Sequence, residues 1–195
     1  MDFTAHLESL KDEKPQARID AVKALAGIGQ PAVGSLCEMA AEASLPAHAR
    51  ACAVKALGAI GGAEAAEALI KALGDGEVVV RIPAAMHLGA LKEKKAAPNL
   101  AQMLGDWSSI ARGCAADSLC SLAEACASAD ELMAMRGTVA AFAPKDGNGA
   151  KDAERVLGKM AQKADSLLCS EPPSHGNAAK PHAGGNGQAA LLKVR

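Results

Sequence analysis

The sequence predicts an all-α protein, an α-solenoid of helical hairpins stacked at a period of about 31 residues. Two observations carry this. The stretch ARIDAVKALAGIG at 17–29 returns as ARACAVKALGAIG at 49–61, so a structural unit is spelled more than once. The chain is 50% hydrophobic but only 2% aromatic, and its apolar stock is mainly Ala, Leu, Val, Ile and Met, which suits closely packed helices.

The first helix of each unit is read from its arginine. Arg18, Arg50, Arg81 and Arg112 are spaced by 32, 31 and 31 residues. Three positions on stand Ala21, Ala53, Ala84 and Ala115; seven on, Leu25, Leu57, Leu88 and Leu119; ten on, Ile28, Ile60, Leu91 and Leu122. Offsets of three, seven and ten mark one face of an α-helix. In the third unit Pro83 follows Arg81 by two, which predicts a helix that starts late or bends.

The turns come next. Leu10-Lys11-Asp12, Leu73-Gly74-Asp75 and Leu104-Gly105-Asp106 each place an Asp six residues before an Arg. There a carboxylate can accept N–H bonds at the start of the following helix. Ser44 holds the place in the second unit and is expected to cap in the same way. The second helices carry Leu36 or Cys37, then Leu69 and Leu73, Leu100 and Leu104, and Leu132 with Met135. One hairpin cannot bury both apolar faces, so the units must stack.

This gives a capping helix in 1–11, four units at 12–43, 44–74, 75–105 and 106–136, and a linker with a closing helix in 137–169. The closing helix is expected to bury Val156, Leu157, Met160, Ala164, Leu167 and Leu168. Residues 170–195, rich in Pro, Gly and Ala, are expected to be disordered.

The element ARACAVKALGAIGGAEAAEALIKALGD, with its Arg, Ala, Leu and Gly rhythm and its Ala-rich second helix, resembles the short HEAT-like repeats of phycobilisome lyases and their relatives. The resemblance spans roughly 12–135. It implies an α-solenoid and two functions of different class. One is a non-enzymatic scaffold that docks another protein on the concave side. The alternative is a bilin lyase or chromophore-handling chaperone. The same repeat family includes an iron-dependent deoxyhypusine hydroxylase whose ligands are His-Glu pairs. Here His6 precedes Leu7, His48 precedes Ala49 and His87 precedes Leu88, so that activity is excluded.

No catalytic residue and no metal ligand set stands out, and no cofactor is expected. There is no Cys-x-x-Cys, and the unit alignment makes the cysteines packing residues, with Cys37 in a core position. The net charge of −1, with Lys92, Lys94 and Lys95 diluted by Glu93, argues against nucleic acid. No run approaches the roughly 20 apolar residues of a membrane span, and the first fifteen residues do not read as a leader. The expected location is cytoplasmic, with free thiols.

The Asp12, Arg18, Arg50, Asp75, Arg81, Asp106 and Arg112 series is read as a structural ladder, because a binding site rarely needs every repeat. The expected docking face is the concave one, lined by second helices, where Glu64, Lys71, Lys95, Asn99 and Gln102 point outward. Trp107, in a turn between units, either covers a core edge or contacts a partner.

Overall fold

A computed structural model describes residues 3–145 and 147–170, so most of the expected 170–195 tail lies outside the described residues. The described residues form ten α-helices: α1 (Thr4–Ser9), α2 (Pro15–Ile28), α3 (Val33–Ala41), α4 (Ala47–Ile60), α5 (Ala63–Ala72), α6 (Val78–Ala90), α7 (Ala97–Met103), α8 (Ser109–Glu124), α9 (Ala129–Phe142) and α10 (Gly147–Ser170). No strand occurs among the described residues. The fold is an all-α solenoid.

Helices α2, α4, α6, α8 and α10 pack side by side in one layer. In the other layer α3 packs on α5 and α7 on α9, and α10 rests on both α8 and α9. Each of α2, α4, α6 and α8 starts three residues before its arginine. Leu25, Leu57, Leu88 and Leu119 are fully buried, and they share one hydrophobic core with the equally buried Leu36, Leu69, Leu100 and Leu132 of the second helices. Burying one Leu side chain contributes about 1.5–3 kcal/mol, and these eight hold the layers together.

Small residues set the spacing of the first layer. A Cβ on Gly58 would collide with the His87 ring, and one on Gly89 would lie 2.7–2.8 Å from Ser118. At the α6–α8 crossing the Ser118 hydroxyl donates to the Ala85 carbonyl (2.8 Å) and Ser121 to that of Gly89 (3.1 Å). Gly29 and Gly61 end α2 and α4 with φ of 75° and 72°, where a side chain would be strained.

Four expectations are corrected here. Ser44 does not cap α4: its N–H and hydroxyl both donate to the Glu42 carboxylate, and Pro46 takes the N-cap place. Leu36, not Cys37, fills the core position, because one residue rotates the helix face by about 100°. Of the two outcomes expected of Pro83, the late start does not occur: α6 begins three residues before its arginine, as its neighbours do, and the proline is buried within it. Finally, α9 runs on to Phe142 with Val139 buried, past the 136 boundary, so part of the 137–169 segment completes the fourth hairpin.

Helix α10 buries Ala153, Val156, Met160 and Ala164 and turns Lys151, Glu154, Arg155 and Lys159 to solvent. Such a polar outer face suits the end of a stack. Leu168, expected on the buried side, is exposed.

Candidate functional site

The arginine series is the most regular polar feature. The Arg50 guanidinium donates through Nε and Nη2 to both carboxylate oxygens of Asp75, each at 2.9 Å. Arg81 Nε donates to Asp106 at 2.7 Å. Arg112 Nε donates to Asp152 of α10 at 3.3 Å. Each of these arginines also uses Nη1 on carbonyls of its own turn: Leu45 for Arg50, Asp75 and Gly76 for Arg81, Asp106 and Trp107 for Arg112.

The aspartates face two ways. Asp75 accepts the Glu77 N–H and Asp106 the Ser108 N–H, both at 2.8 Å, ahead of α6 and α8. Burial alone would raise the Asp75 and Asp106 carboxyls, but hydrogen bonds from Arg50 and Arg81 and from those N–H groups hold both below the usual carboxylate range. The Asp75 carboxylate in turn raises the Arg50 pKa. Three arginines are thus consumed in tying each hairpin to the next. Arg18 differs: its Nη1 reaches the Asp12 and Glu13 carbonyls at 2.7 and 2.8 Å, and the Asp12 carboxylate accepts the Lys14 N–H of its own turn.

Uncommitted polar groups lie on the second-helix side. Glu64 and Lys71 line a groove of about 430 Å³ between α3 and α5, whose floor is Cys37, Ala40 and Ala68. Asn99 and Gln102 line an adjoining groove of about 260 Å³ that shares Gly74 with the first. Lys95 borders a third, of about 290 Å³, between α7 and α9. Glu64, Lys71, Lys95 and Gln102 are exposed and Asn99 is half-buried. Sequence reasoning passed over Glu67, which lines the first groove one turn beyond Glu64 and shares its helix face.

Trp107 is 79% exposed, so it covers no core edge. It stands between α7 and α8.

Cys37, Cys52, Cys114, Cys120 and Cys126 form no disulfide. Burial is the first cause that pushes each thiol up, which makes them poor nucleophiles. Among the described residues no three His, Cys, Asp or Glu side chains gather as a metal site. His87 packs over Gly58, and burial lowers its pKa. No described helix is long and apolar enough to cross a membrane.

Comparison with known proteins agrees with this geometry. A family model of HEAT repeats matches residues 4–79 and again 35–120, together more than half of the chain. The chain belongs to the HEAT-repeat family. Among solved structures, this HEAT-repeat chain resembles the complex of CpcE and CpcF of phycocyanin lyase from a Nostoc species, with a TM-score of 0.61 and 22% identity over 79% of this chain and 96% of that one. Human deoxyhypusine hydroxylase in complex with glycerol aligns at 28% identity and a TM-score of 0.48, over 67% of this chain and 43% of that one. A designed armadillo repeat protein aligns at 17% identity and a TM-score of 0.47, over 89% and 94%. The likeness to the phycocyanin lyase structure speaks for the fold alone. No curated protein matches the sequence.

Proposed function

We propose that this HEAT-repeat chain is a non-enzymatic docking module that holds a partner protein on its second-helix, concave face. One observation carries the reading. The ladder residues Arg50, Arg81 and Arg112 are tied up between hairpins, whereas Glu64, Lys71, Asn99 and Gln102 line two adjoining grooves and make no ion pair among the described residues. A solenoid keeps its shape through stacking, so such face residues are free to serve recognition. The similar phycocyanin lyase structure is itself a complex of two proteins, which fits a chain that works against another polypeptide. Lys95 and Trp107 extend the proposed surface, Trp107 as its one large aromatic anchor.

The test is affinity capture from native extract with wild type beside a Glu64→Ala, Lys71→Ala, Lys95→Ala, Gln102→Ala variant. The reading expects a stoichiometric partner that the variant loses. A partner held equally by both would place the interface elsewhere. The likeness to the lyase complex also supports a second reading, chromophore handling. That one requires tetrapyrrole binding with a change in visible absorption, and a silent titration removes it.

A further inference from the structure

The ladder is broken at one place, and a groove opens beside the break. Arg50, Arg81 and Arg112 each meet a carboxylate from the following element: Asp75, Asp106 and Asp152. By the same register the partner of Arg18 should come from the turn before α4, six residues ahead of Arg50. That residue is Ser44, which is turned toward Glu42. Among the described residues no carboxylate pairs with Arg18.

The groove lies between α2 and α4, has a volume of about 380 Å³, and is lined by Arg18, Lys23 and Lys55 with Ile19, Val22 and Cys52. Three cations line it and no acid does. Lys23 and Lys55 occupy one repeat position, five residues after Arg18 and Arg50, and so stand on the same face of neighbouring helices. Both α4 and α2 cations converge on the floor: burial raises the Cys52 thiol, while the charges of Lys55 and Arg18 and a hydrogen bond from Arg18 act against it. The wall is apolar, and Ile19 is 48% exposed beside the cations.

We infer that this first-helix groove is a second recognition site, which takes an acidic segment of a partner protein. Its carboxylate completes the ladder in trans at Arg18, and an apolar neighbour packs on Ile19 and Val22. Charge complementarity selects the occupant. An arginine fork matches a carboxylate in two-point geometry, as Arg50 already does with Asp75. The chain's own residues 171–195 do not suit the site, since Glu171 stands there against Lys180, Lys193 and Arg195. The inference does not depend on the second-helix face being the main docking surface.

The experiment titrates the full chain with the peptide acetyl-Leu-Asp-Glu-Leu-Asp-Glu-Leu-amide and with its Asn/Gln counterpart, by calorimetry at low and moderate salt. The acidic peptide should bind, the neutral one should not, and affinity should fall as salt rises. Arg18→Gln should weaken binding by about tenfold or more. Arg18 also braces its own turn, so Ser44→Asp is the decisive variant: it supplies the missing carboxylate in cis and should abolish binding in a folded protein. The quadruple second-helix variant should bind the peptide as wild type does. Peptide binding that survives Ser44→Asp overturns the inference. So does no binding by wild type, or capture of duplex DNA at these residues while the peptide stays silent.

Discussion

Removing the Asp106 carboxylate should cost far more than removing that of Asp12, although the two occupy the same place in the repeat. Asp106 receives Arg81 Nε at 2.7 Å and the Ser108 N–H at 2.8 Å. The Arg81 and Asp106 side chains retain only 10% and 5% of their exposure. In Asp106→Ala the Arg81 fork keeps its carbonyl partners on the Asp75 turn but loses its counter-ion inside the interface between α6 and α8. Breaking a buried pair from one side costs about 3–5 kcal/mol, and the residual exposure brings the expectation to about 2–4 kcal/mol. Asp12 is exposed and its carboxylate accepts the Lys14 N–H of its own turn, so Asp12→Ala should cost about 0.5–1 kcal/mol. Urea unfolding followed by far-UV circular dichroism measures both, with Trp107 fluorescence as a second probe at the mutated turn. If the two variants unfold at the same urea concentration, the ladder does not couple the hairpins and the argument fails.

Other outcomes follow from the same contacts. Gly89→Ala should destabilise by about 1–3 kcal/mol despite the better helix propensity of Ala, because the new methyl meets both the Ser118 side chain and its Cα; a neutral result in urea would mean that α6 and α8 can slide apart. Leu57→Ala, which empties a fully buried core position, should cost about 2–5 kcal/mol in the same assay, and a cost below 1 would contradict the packing described. The Asp75 and Asp106 carboxyls are held below their ordinary range, so their contribution is fully present above about pH 4 and disappears as pH falls through the lowered values. An Asp75→Asn, Asp106→Asn variant should therefore be less stable than wild type at neutral pH and converge with it in acid; a constant gap across the titration would remove the electrostatic account.

The repeat itself was plain in the sequence, because stacking forces the same small set of residues into each unit. Arg18, Arg50, Arg81 and Arg112 fixed the register, and the leucines seven residues on proved to be the fully buried ones. What escaped was whatever the period does not control. Asp152 follows Arg112 by 40 residues rather than 25, since α9 is long and α10 supplies the carboxylate from a helix instead of a turn. Cys37 and Leu36 are adjacent, and only the packing of α3 against α4 and α5 decides which of them faces inward. Ser44 belongs to a cap-forming residue type, yet Glu42 two residues earlier takes both of its donors. The exposure of Trp107 was equally invisible, because a turn residue has no periodic face to read. Glu64, Lys71, Asn99 and Gln102 could be placed by counting outward from the leucines. The grooves beside them are lined by residues of successive units, which no single unit encodes.

The central claim is that a partner protein seats on the second-helix face. Photo-cross-linking tests it most directly, with a photoreactive residue installed at Glu67, at Gln102, or at Glu154 on the outer side of α10, followed by mass spectrometry of adducts formed in native extract. The account predicts that one protein is captured from positions 67 and 102 and not from 154. Capture from 154 alone, with 67 and 102 silent, would contradict it.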